Sequence, residues 1–235
     1  MYEPTIGTTH AEAAMSTSEV PDSPAPQPNP ESYDPDLSET PPATARLAAV
    51  HRRRAQERTS DGTALVAGPG NRRGEEEVRA IAELRPQATV LTGAEATPAA
   101  TLAALDGRSV AHVAAHGWHQ SENALFSALE LATGPVLGYD LQRLAMPPAM
   151  VVLSCCELGL SDVRPGDESL CMASALLAAG TATVVASVSR VADEAAMELM
   201  VRYHRDIAAG RSAAAALAAA RPAELAAGFV CLGAG

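Results

Sequence analysis

Lysine is missing from this chain: all 17 basic residues are arginine. That is a bias of nucleotide composition before it is chemistry, because no single position calls for a guanidinium. Aromatic residues make up only 3% of the 235, so the core must be assembled from Ala, Val and Leu, and an apolar content of 47% suffices for one domain or two. Long apolar runs are lacking too. The two richest windows, near Ala173 to Ser187 and Ile207 to Ala220, are broken by Gly180 and Arg211 and fall short of a membrane span. No basic stretch followed by an apolar one opens the chain, which argues against a secretory signal. The first 45 residues contain no arginine but eight acidic residues, so the remainder carries only about −3 of the net −11. A near-neutral folded part speaks against nucleic acid as a main partner. Cysteine does not occur before Cys155; the four (155, 156, 171, 231) cluster late, and adjacent Cys155 and Cys156 could pair only through a strained ring. Free thiols in a reducing cytosol are expected.

What is present falls into three parts. Residues 1–44 hold nine of the 17 prolines and almost no bulky apolar side chains, so they cannot bury enough surface to offset their ordering entropy and read as a disordered acidic leader. Residues 45–60 read as a linker helix with a basic cluster at Arg52 to Arg54. From residue 61 to 235 short strand-like and helix-like segments alternate. Strands are expected at 63–68, 88–93, 109–115, 150–153, 181–187 and 229–232. A hairpin of two strand-like pieces over 124–137 is expected around Thr133-Gly134-Pro135, and helices at 74–84, 97–105, 139–144, 167–179, 193–209 and 212–220. Such alternation predicts an α/β fold, a mostly parallel sheet with helices on both faces.

The stretch AMVVLSCCELG (149–159) organises the rest. Its apolar, β-branched start reads as a buried strand, which delivers Ser154, Cys155, Cys156 and Glu157 to its C-terminal end, the edge at which open α/β sheets carry their chemistry. The strand SVAHVAA (109–115) ends at His116-Gly117, where glycine permits the turn out of the sheet. If the two strands are parallel, His116 and Cys156 emerge at one edge. A free thiol is only about 3% ionised at pH 7, so a nucleophilic cysteine needs a histidine beside it. His112, mid-strand, reads as buried and structural; His119 has no assignable role. The turn Gly68-Pro69-Gly70-Asn71-Arg72-Arg73-Gly74 lies between strand and helix as a dinucleotide loop would. Its spacing is one residue too long and Pro69 lacks an N–H, so an ordinary βα turn is the better reading.

HVAAHG (112–117) and LSCCELG (153–159) resemble the paired motifs H-x-x-x-H-G and L-S-A-C-E-T-G of the CHAT peptidases, caspase-like domains. The resemblance spans about Thr63 to Gly235, with VLTGAEAT (90–97), GDES (166–169), TVVASVS (183–189), ELMVRYHRDIAAG (198–210) and FVCLGA (229–234). It implies a caspase-like three-layer sandwich and a cysteine endopeptidase with a His–Cys dyad: His116 as general acid/base and Cys156 as nucleophile, with Cys155 on the family's Ala. The backbone N–H groups of Gly117 and Cys156 would hold the oxyanion. The resemblance also implies a protein or peptide substrate and a separate regulatory protein, with no metal or organic cofactor. Leu158 stands where the family has Thr and Ser189 where a Trp is common. Asp167 and Asp193, at the same edge, are candidates for the base of a substrate pocket, although the commoner role of a carboxylate so placed is at a helix N-terminus. The competing class is a caspase-like interaction module without turnover.

Overall fold

The computed structural model describes residues 62–118, 123–154, 167–187, 191, 193–220 and 228–235. The leader, the linker helix, His119, Cys155, Cys156, Leu158, Gly166 and Ser189 all lie outside these residues. Among the described residues nine strands are formed, named in chain order: β1 Thr63–Ala67, β2 Thr89–Leu91, β3 Val110–Ala114, β4 Gly117–Trp118, β5 Ala128–Leu131, β6 Gly134–Leu137, β7 Met150–Leu153, β8 Thr183–Ser187 and β9 Phe229–Gly233. The helices are α1 Arg72–Leu84, α2 Pro98–Leu105, α3 Gly138–Leu141, α4 Asp167–Ala179, α5 Asp193–Ala208 and α6 Ala213–Ala220.

The main sheet runs β2-β1-β3-β7-β8-β9, parallel throughout except for β9, which closes one edge antiparallel to β8. Strands buried on both faces need apolar side chains in either direction, which is why β1, β3, β7 and β8 read as near-continuous apolar runs. Alternate side chains enter two separate cores. Ala64, Val66, Val113, Val151 and Val184 pack with Met172 and Leu176 of α4. Leu65, Ala67, Val152 and Val185 pack on the other face with Val78 and Ile81 of α1 and Leu199 and Tyr203 of α5. The layers are helix, sheet and helix, an α/β caspase-like sandwich. Two of the five aromatic residues of the described part, Tyr203 and Phe229, are among the largest fully buried side chains, and Ala, Val and Leu supply most of the rest.

Helix starts follow local chemistry. Asn71 Oδ1 accepts the Gly74 N–H at 2.7 Å and caps α1. Thr97 Oγ1 accepts the Ala100 N–H at 3.2 Å and caps α2, whose first residue is Pro98. The hairpin expected around Gly134 is present as β5–β6, but residues 124–126 form a 3-10 turn and not a strand. Asn123 causes this: its side chain accepts the Leu125 N–H at 3.0 Å and its carbonyl the Phe126 N–H at 3.0 Å, an Asx-type turn that outcompetes extension. β4 was not foreseen either. It joins β5 and β6 in a second, antiparallel sheet, order β4-β5-β6.

Gly68 ties the two sheets together. Its N–H donates to the Ala114 carbonyl at 2.9 Å, and a Cβ at this position would lie 2.6 Å from the Glu130 carbonyl oxygen and 2.7 Å from the Ala115 Cβ. Neither neighbour is a flexible side-chain tip, so Gly68→Ala is expected to cost about 1–3 kcal/mol, read as a lowered urea midpoint at unchanged slope. An unaltered midpoint would mean that the hairpin is not seated on β1 as described.

Candidate active site

His116 stands just past the end of β3, half-buried, where the strand order turns back from β1 to β3 and open α/β sheets leave a crevice. Its carbonyl accepts the Glu130 N–H at 2.7 Å, so β5 holds the backbone at this residue. No cis peptide bond occurs among the described residues, so the N–H of Gly117 points opposite to the His116 carbonyl, away from β5. A Cβ on Gly117 would lie 2.9 Å from the Ala128 carbonyl oxygen, which explains glycine here.

β7 lies next to β3, and the ladder fixes how their ends relate. Val110 pairs with Met150, Ala111 with Val151, His112 with Val152 and Val113 with Leu153, a constant offset of 40 residues. The Ser154 N–H continues it, donating to the Val113 carbonyl at 2.9 Å, and Ser154 is buried. Asp167 and Asp193 are the first residues of α4 and α5, the helices that follow β7 and β8, and so both belong to the C-terminal edge of the sheet. At the neighbouring helix starts, Arg73 Nη2 of α1 bonds Glu194 Oε1 of α5 at 2.7 Å.

The βα turn after β1 shows no dinucleotide cradle at its first glycine. Gly68 is packed against Ala115 and Glu130, and the first turn of α1 is capped by Asn71 from within the chain. Among the described residues, no group of three or more His, Cys, Asp or Glu is arranged to hold a metal ion, and no helix is long and apolar enough to cross a membrane.

Beneath His116 lies a polar cluster of which the sequence betrayed only one member. His112 is fully buried mid-strand, as expected. Its Nδ1 is 3.1 Å from Nε2 of the fully buried His204 on α5, and its Nε2 is 2.8 Å from Oε1 of Glu77 on α1, itself 3% exposed. The His112–Glu77 approach is within ion-pair reach but lacks the alignment of a ring N–H donor, so it is an electrostatic contact and not a formed hydrogen bond. The His112 and His204 rings meet edge to face with centroids 5.0 Å apart. Burial first, then neighbouring His112 and Arg85, holds the His204 imidazole well below the usual histidine value, so it is neutral and can accept from His112. Burial also pushes the Tyr203 hydroxyl up, and this hydroxyl lies 3.2 Å from the Met150 sulfur.

A search of curated proteins yields no match to the chain. The family model described as the CHAT domain matches residues 9–227, a range that starts inside the acidic leader and takes in both β3 with His116 and β7 with the cysteine pair. With most of its length matched and the α/β sandwich in place, this chain belongs to the CHAT domain family, which is related to the caspase-like peptidases.

Proposed function

We propose that the protein is a cysteine endopeptidase in which Cys156 is the nucleophile and His116 the general acid/base. The observation that carries this reading is the β3–β7 register. The ladder's offset of 40 is the spacing of His116 and Cys156, and neighbouring parallel strands run about 4.8 Å apart. Side-chain alternation supports the same pair. Val152 faces the core that α1 and α5 cover, while Val151 and Leu153 face the other. A strand continued by the same alternation puts Cys156 on the face of His112 and His116, and Cys155 on the opposite one.

In the proposed reaction the Cys156 thiol passes its proton to His116, and the thiolate attacks the peptide carbonyl. The developing oxyanion is met by backbone N–H groups of Gly117 and Cys156, donors of the kind that contribute most where charge appears only in the transition state. The amine then leaves with the proton from His116, and water hydrolyses the thioester. The orientation of the Gly117 N–H away from β5 supports its part in this. No metal or organic cofactor enters the scheme. The catalytic unit is residues 61–235, with the acidic leader and linker helix outside it, acting in the cytosol under a separate regulatory protein.

Asp167 and Asp193 are proposed at the base of the pocket for the side chain before the cut bond. A buried basic side chain requires a carboxylate partner, so cleavage after Arg or Lys is expected in a fluorogenic peptide panel assayed with the activator. Selective cleavage after Asp would overturn the pocket and leave the dyad. If no peptide is cut and Cys156 is not labelled by a peptidyl electrophile, the protein is an interaction module that keeps the fold without turnover.

A further inference from the structure

The chain has seven aromatic residues, and five lie in the described part. Tyr203 and Phe229 are buried, whereas Trp118, Phe126 and Tyr139 are 44%, 55% and 48% exposed. Their exposure runs against a composition so poor in large apolar side chains, because each withholds its area from a core made of small ones.

The three also belong to one end of the small sheet. In the second sheet, Trp118 pairs with Ala128 and Ala128 with Leu137, forming one row. Phe126 and Tyr139 lie just beyond that row, two residues before Ala128 and two after Leu137. The Gly138 N–H bonds the Ser127 carbonyl at 2.9 Å, and α3, which carries Tyr139, packs on the turn that carries Phe126. Arg143 lies over the Tyr139 ring, 5.6 Å from its centroid. At its other end the same sheet receives His116, whose carbonyl accepts the Glu130 N–H.

We infer that this end of the small sheet is a specificity shelf, on which Trp118 and Phe126, with Tyr139 beside them, receive apolar side chains of the polypeptide being cut. The inference rests on the dyad proposed above and names the substrate class for that site. Its support is continuity and reach. Strand residues advance about 3.3 Å each, so Trp118 lies about 7 Å along the sheet from His116, and Phe126 and Tyr139, on the turn before β5 and the helix after β6, lie farther along. An extended peptide advances at the same rate, so a side chain two residues from the reacting carbonyl reaches the level of Trp118, and those beyond it approach the Phe126 and Tyr139 end. Large aromatic faces that lose little conformational freedom on contact are what peptide-binding surfaces use as anchors.

The test uses the full-length protein and two series of azapeptide epoxides, which carry residues on both sides of the electrophilic group. One series has Leu or Phe two to four residues from that group, and the other has Ser there. The rate of Cys156 modification is followed by mass spectrometry. In the unaltered protein the apolar series is expected to react roughly 10- to 100-fold faster, the range that burying one large apolar side chain supplies. In Trp118→Ala, and further in the Trp118→Ala/Phe126→Ala pair, this ratio is expected to fall to within about threefold of unity, with Trp118→Phe restoring most of it. Both side chains are exposed, so these variants are expected to fold. A ratio near unity in the unaltered protein, or one unchanged by both substitutions, overturns the shelf. Iodoacetamide, which carries no side chain, reads the dyad alone. If its reaction with Cys156 does not depend on His116, the dyad is overturned and the substrate shelf goes with it.

Discussion

Replacing Cys156 by Ala, or His116 by Ala, is expected to lower kcat/KM for peptide cleavage at least about 1,000-fold, while Cys155→Ser keeps most of the activity. The size follows from the chemistry. A thiol with an ordinary value is about 97% protonated at pH 7, and loss of the partner base removes both thiolate formation and protonation of the leaving amine. The selectivity rests on the proposed continuation of β7, since the two cysteines are consecutive and an extended strand sends consecutive side chains to opposite faces. Only an even-numbered position continues the face of His112 and Val152. A double variant, Cys156→Ala with His116→Ala, is expected to be no worse than either single one, because the two residues act as a unit. Alkylation of Cys156 by iodoacetamide should slow in His116→Ala as well, a readout that needs no peptide substrate. Should Cys155→Ser prove the inactive variant, the strand would not continue with the alternation it has up to Leu153.

Much of the fold was legible because strands buried on both faces leave apolar runs that few other elements produce. Met150–Leu153 coincides with its run, the run 181–187 contains the observed strand Thr183–Ser187, and the strand–helix alternation predicts the parallel sheet. The second sheet was only half legible. Its hairpin was signalled by Thr133-Gly134-Pro135, but β4 is two residues long, too short for any period, and it exists only because β5 offers a partner to Gly117 and Trp118. Of the candidate site, the spacing of His116 and Cys156 was visible from the start. What the sequence could not say is that this spacing equals the β3–β7 register, because register is set by the packing of whole strands. The buried cluster was hidden by composition. Glu77 closes a run of three glutamates, a pattern that suggests a solvated face, yet it is four residues before Ile81 and so shares the apolar stripe. His204 likewise follows Met200 by four residues, on the stripe of α5 that faces the sheet. Helical spacing applied to polar as well as apolar residues would have found both.

Substitutions in that cluster are the most destabilising expected in the described part. Glu77→Ala removes the carboxylate nearest the fully buried His112 and opens a void between α1 and β3. Taking one partner from a buried polar pair costs about 3 kcal/mol or more, which lowers the melting temperature of a chain this size by roughly 6–12 °C. Replacing Glu77, His112 and His204 together by Leu should cost much less, because no polar atom of the cluster is then left unpaired. The pH dependence comes from His204. Its folded-state value is held below the ordinary 6.5 by burial and by His112, so as pH falls through 6.5 the unfolded chain takes up a proton that the folded one refuses. Stability is therefore lost on going from pH 7 to pH 5. His204→Gln keeps an acceptor for His112 but cannot titrate, so its melting temperature should fall less over this interval than that of the unaltered protein. Equal slopes for the two proteins in thermal melts at pH 7, 6 and 5 would show that His204 is not the group that charges on unfolding. The same cluster anchors β3 to α1 and α5 directly below His116. Melts of Glu77→Ala set beside its iodoacetamide reactivity would therefore show whether the clamp sets only the stability of the sheet or also the seating of the proposed dyad.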